Sequence, residues 1–135
     1  MMIISAIKAL NPVAVLVALI LHFFIGLIWY HPMVFGKTWG KLRGMDLKPQ
    51  KKWVLASFLT HVIYTFVLAI IVTLAKATTV LEGLAIGIMV AVGFIGTALT
   101  NEMIGGKLPF KLFLIKFGDE IVSLCAAGVL LALWR

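Results

Sequence analysis

Acidic residues are scarce in this chain, with five Asp and Glu against twelve Lys and Arg, and charged residues of both signs make up only 13% of 135 positions. A soluble surface ordinarily draws on about a quarter charged residues, so this composition cannot clothe one. Cysteine is nearly absent: Cys125 stands alone, which excludes an intrachain disulfide and leaves the redox compartment unreadable. Set within an apolar run, it is most simply a small packing residue. Catalytic templates are missing as well. No nucleophile and base stand at a working spacing, and neither Gly105-Gly106 nor the Gly83, Gly87 pair satisfies a phosphate-loop or zinc-site pattern. No long aqueous loop offers room for a soluble-facing active site, so no enzyme is expected. The net charge of +7 raises nucleic acid as a partner, but the lysines sit in short gaps between apolar runs instead of along one basic face. No nucleic-acid partner is therefore expected.

Apolar residues are abundant, at 63% of the chain, and mean hydropathy is +1.15. From Pro12 to Tyr30 the only residue that titrates near neutral pH is His22. That run is long enough, at about 1.5 Å per helical residue, to span about 30 Å of hydrocarbon. Bulky Trp29-Tyr30-His31-Pro32 follows it instead of a small-residue cleavage site, so the run is expected to stay in the mature chain. Three more runs repeat the pattern. The expectation is an all-α membrane bundle of four transmembrane helices at about 12–30, 53–74, 79–103 and 112–134, within a single integral membrane domain over 1–135. Lipid is its first partner.

Asn11-Pro12 places a capping side chain and a first-turn proline at the start of the first span. Along that span Ala14, Ala18, His22, Gly26 and Tyr30 fall at i, i+4 spacing, a ridge of mostly small residues where another helix can come close. His22 is therefore expected to face protein, not lipid. The elbow after it begins with two aromatics suited to the interface. Pro32 can start a short helix on which Phe35, Trp39 and Leu42 share one side while Lys37 and Lys41 fall on another, as in a helix lying in the interface plane. The run Trp-Tyr-x-Pro-x-x-Phe-Gly-x-x-Trp, here Trp29, Tyr30, Pro32, Phe35, Gly36 and Trp39, resembles the signature of the small membrane proteins called domain of unknown function 1761. The likeness runs through most of the chain, including Gly128 to Trp134. It implies a four-helix membrane protein and brings no activity with it.

In the second span Ser57, His61, Thr65, Ala69 and Thr73 form another i, i+4 ridge. A turn over Ala75 to Thr78 leads into the third, where Gly83 and Gly87 make a small-xxx-small pair and Gly93, Thr97, Thr100 and Asn101 lie toward one side. So short a turn makes these two spans antiparallel neighbours. Glu82 is expected as a solvated first-turn acid, Glu102 as an interfacial anchor, and His31 as solvated.

With four spans, the two longer loops share a side carrying Lys37, Lys41, Arg43, Lys48, Lys51, Lys52, Lys107 and Lys111, against lone Asp46 in the first loop; the opposite side has Lys8, Lys76 and Arg135. Eight cations against three places the loops in the cytoplasm and both termini outside, in a cytoplasmic (inner) membrane, and argues against insertion in both orientations.

His22 lies eight residues before Tyr30, His61 eight after Trp53 and Asp119 eight after Lys111, so each stands about 12 Å from the same edge at helical rise. Glu120 is about 100° around the helix from Asp119, so the two cannot face one partner. Charged groups at mid-bilayer cost about 2.5–3.5 kcal/mol each and turn inward to find partners. The expected polar layer is His22, His61 and one of Asp119 or Glu120, with Ser57, Tyr64, Thr97 and Ser123 as hydrogen-bonding neighbours. Two imidazoles and a carboxylate can pass a proton or bind a transition metal, for which His22, His61 and Asp119 are the candidates. Lys116, at i, i+4 from Glu120 and i, i+3 from Asp119, can instead neutralise its own helix, and each His can serve as structural glue. No Cys-x-x-Cys-His haem motif occurs, and no cofactor is expected. The leading expectation is a small transporter-like protein handling ions or protons through this layer and assembling as a homo-oligomer. The alternative is an accessory or scaffold protein with a purely structural layer, and the third is a membrane metalloprotein or redox protein.

Overall fold

The computed structural model describes residues 1–44 and 50–134, and every regular element among them is helical. Asp46, Lys48 and Arg135, which enter the charge bias above, lie outside the described residues. The apolar leader forms a short helix, α1 (Met2–Lys8), that packs on the second long helix. Asn11 then caps α2 (Pro12–Trp29), its side-chain oxygen accepting from the backbone N–H groups of Val13 and Ala14 at 3.0 and 3.2 Å. Pro12 sits where a missing N–H costs nothing.

After His31, Pro32–Gly36 form a π-helical turn that runs into α3 (Lys37–Arg43), ended by Gly44 at φ +62°. The exposed His31 caps this turn, its Nδ1 accepting from the Met33 N–H at 3.3 Å. Helix α4 (Lys51–Leu74) follows, then a tight turn. Helix α5 (Val80–Val90) opens with a reciprocal cap, the Thr79 hydroxyl accepting from the Glu82 N–H while the Glu82 carboxylate accepts from Thr78 and Thr79. A second π-helical stretch, Ala91–Gly96, joins α5 to α6 (Thr97–Ile104), and α7 (Phe110–Leu133) completes the chain.

Three helical stretches, Pro12–Arg43, Lys51–Leu74 and Val80–Ile104, are long and apolar enough to cross a membrane. At 24 residues α7 equals α4 in length, but Lys116, Asp119 and Glu120 in its body leave it outside that apolar set. Even so, α7 is the hub. It packs against α2, α4, α5 and α6, and its buried stripe runs through Leu112, Ile115, Asp119, Ser123, Leu124, Ala127, Gly128 and Leu131.

The tightest seam joins α5 to α7. A Cβ built on Gly83 would lie 2.7 Å from the Gly128 carbonyl oxygen, one on Gly87 2.7 Å from the Cys125 Cα, and one on Gly128 2.6 Å from the Gly83 carbonyl oxygen. Backbones this close gain dispersion contacts, which lipid-embedded helices need because hydrocarbon supplies no hydrophobic drive between them. Helices α4 and α5 are in contact, as their short connection requires, while α5 lays its glycine face on α7 and packs mainly there.

Candidate functional site

His22 lies on the small-residue ridge of α2, whose Ala14, Ala18 and Gly26 are buried with it, and its side chain is 1% exposed. Its Nδ1 is 3.1 Å from the Thr65 hydroxyl of α4, itself fully buried. The His22 ring meets the His61 ring edge-on, with centroids 4.6 Å apart, and lies 6.3 Å from the Tyr64 ring. Phe23 stands against the other side of His61 at 5.5 Å. The aromatic contact with Phe23 has no polar signature, which is why sequence reasoning passed over it.

His61 is oriented by its own helix. Its Nδ1 is 2.6 Å from the Ser57 carbonyl oxygen, and because a carbonyl can only accept, that nitrogen carries a hydrogen. The other ring nitrogen, Nε2, and the Asp119 carboxylate both border Gly26 of α2, with no hydrogen bond or ion pair between them. A Cβ built on Gly26 would lie 3.6 Å from His61 Nε2 and 3.9 Å from both Asp119 carboxylate oxygens. Glycine at this position thus leaves open a space that an imidazole from α4 and a carboxylate from α7 both border. Asp119 is 6% exposed, and the Ser123 hydroxyl one turn later donates to its Oδ1 at 3.4 Å. With Nδ1–H committed to Ser57, Nε2 is the ring nitrogen of His61 left on the Asp119 side.

Of the residues singled out in sequence, the structure brings together His22, His61, Asp119 and Ser123, with Ser57 contributing its carbonyl while its side chain is exposed. Thr97 is not among them. It is exposed, and its hydroxyl donates back to Gly93 and Phe94 of its own helix. The π-helical stretch before it inserts extra residues per turn, so the 3.6 period that points Thr97 inward no longer holds beyond Gly96. Lys116 reaches across to Glu102 of α6, at 4.0 Å, as well as standing one turn from Glu120 on its own helix.

Glu120 turns from the His group into a cavity of about 390 Å³, which it lines with Tyr30, Tyr64, Glu102 and Lys116. Its Oε2 is shielded from solvent and has no hydrogen-bond donor among the described residues. Among the described residues, no three His, Cys, Asp or Glu side chains are disposed to hold a metal ion, so His22, His61 and Asp119 do not form a ready ligand set.

The elbow packs against α7 one turn from Asp119. The Trp29 indole N–H donates to the Ile115 carbonyl of α7 at 2.9 Å, and its ring lies where a Cβ on Gly118 would come within 2.8 Å. Phe35 packs on Trp29 at 4.8 Å and Tyr30 on Trp39 at 5.5 Å. Gly36 follows because a Cβ there would strike the Tyr30 carbonyl. Pro32 begins the turn.

An all-helical chain with three stretches long and apolar enough to cross a membrane, each packed against α7, has the character of a membrane protein, and its buried histidine and aspartate lie among α2, α4 and α7. The chain belongs to the family described as Protein of unknown function (DUF1761), whose model matches residues 13–132. No curated protein and no solved structure matches it.

Proposed function

We propose that this protein is a four-span membrane protein that handles protons through His22, His61 and Asp119. One observation carries the proposal: His61 is tethered by Ser57 so that its free nitrogen borders the same glycine as a buried carboxylate. A histidine and a buried carboxylate that border one gap, into which Gly26 puts no side chain, can pass a proton directly after a small side-chain shift or through one bridging water. His22 lies edge-on to His61 and hydrogen-bonded to Thr65, which extends the pair one ring further toward α2.

Helix α7 serves as the fourth span. What supports this is its length and its place against α2, α4 and α5, where its charges face protein and not lipid. The loops lie in the cytoplasm and both termini outside, as the Lys and Arg bias favours. The protein self-associates. Every residue from Lys51 to Thr60 of α4 is exposed in the single chain, directly before His61, so a path to this centre is completed between copies.

The test is proton flux in proteoliposomes. Asp119→Asn and His61→Gln are expected to abolish flux while the melting temperature in detergent stays near that of the parent chain. Unchanged flux in both variants would overturn the proposal. A second function, as an accessory protein with a structural polar layer, is favoured by the fully buried His22–Thr65 hydrogen bond. Its outcome in the same assay is loss of stability with no flux to lose.

A further inference from the structure

Where α3 meets α7 the fold gathers cations and gives them no anions. Lys37 and Lys41 lie one turn apart on α3, and Arg43 follows them; all three are exposed. The Arg43 guanidinium stands 5.2 Å over the Trp39 ring, and Trp39 packs against the buried cluster of Leu99, Leu108 and Leu112 around the start of α7. Leu108 and Leu112 are each directly preceded by an exposed lysine, Lys107 and Lys111. One corner of the molecule thus carries cations from two segments far apart in sequence. Among the described residues none of these cations has a carboxylate within ion-pair reach, since the one bridge runs from Lys116 to Glu102. Lys48 and Asp46 follow in the first loop and cancel each other in charge. Like charges gathered in this way repel unless an anion joins them.

Level and surroundings narrow what that anion is. Tyr30 and Trp39, in edge contact at 5.5 Å, are aromatics of the kind that settle among lipid headgroups, which puts these cations at the height of lipid phosphates. Apolar surface lies open beside them: Phe110 is 63% exposed, and Leu114, one turn on from Lys111 along α7, is 50% exposed. A charged head over an apolar body is the profile of a phospholipid, whereas a free ion leaves Phe110 and Leu114 unmatched. We infer that the corner between α3 and the start of α7 binds an anionic phospholipid, its phosphate held between the cations of the two segments and an acyl chain lying along Phe110 and Leu114. The inference goes beyond the proton path proposed above and needs only the placement in a membrane, so it stands whatever the flux measurement gives.

Mass measurement of the full chain released intact from detergent micelles, with dioleoylphosphatidylglycerol and dioleoylphosphatidylcholine added in equal amounts, tests this. The parent protein is expected to retain the glycerol lipid over the choline lipid by roughly tenfold or more. Inorganic phosphate in excess is expected not to displace it, because it brings no acyl chain. The double variant Arg43→Gln, Lys111→Gln removes one cation from each segment, and the preference is expected to fall by about fivefold for each charge removed. Both side chains are exposed, so the melting temperature is expected to stay near that of the parent. Lys8→Gln with Lys76→Gln takes the same charge from exposed positions at the opposite end and is expected to leave the preference unchanged. Equal retention of the two lipids by the parent, displacement by inorganic phosphate, or equal losses in the two double variants would overturn the inference.

Discussion

Toward its C-terminal end α7 meets α5 backbone to backbone, through Gly83, Gly87 and Gly128, with no room for a methyl group. Two turns earlier the same helix carries Asp119 and Glu120 among side chains spaced widely enough to leave a cavity of about 390 Å³. The difference teaches how a small membrane bundle divides its work. Close glycine contacts hold the helices where no chemistry is needed, and that grip lets the polar end stay open without the bundle parting.

Substitution at the tight end is expected to have the largest effect. Gly128→Leu forces α5 away from α7, with an expected loss of about 3 kcal/mol or more, read by reversible unfolding in mixed micelles. A loss under about 0.5 kcal/mol would show that the seam yields and is not the clamp. At the polar end Thr65→Val leaves His22 Nδ1 buried without its hydroxyl, costing about 1–3 kcal/mol in the same measurement. Trp29→Phe removes both the bond to the Ile115 carbonyl and the indole edge against Gly118, with about 1–2 kcal/mol expected. At the small end, Gly93→Ala adds a methyl group where nothing lies within 4 Å, and a change within about 0.5 kcal/mol is expected. If Gly93→Ala proves as damaging as Gly128→Leu, the contrast between the two regions collapses.

Much of the fold was legible in the residues. The cap at Asn11, the inward ridge of α2 and the Gly83, Gly87 contact all follow from periodicity and residue size. The histidines and Asp119 were recognisable because ionisable groups stand out in an apolar run. Thr97 was misplaced because its direction depends on a π-helical stretch that no 3.6-residue period anticipates. Lys116 was legible only in part: local spacing offered it Glu120, and tertiary packing added Glu102 from another helix. Cavities leave no trace in sequence at all, and Tyr30, read as an interfacial anchor, lines one.

Sequence alone determined that this chain is helical and apolar enough to enter a membrane, because helix length, hydropathy and capping are local properties carried by consecutive residues. Which helix stands at the centre, and which of two adjacent carboxylates lies on the His61 side, only the tertiary structure decided. Those depend on how glycine faces let backbones approach and on how far each helix is rotated once it has packed, and neither quantity exists until distant segments are in contact.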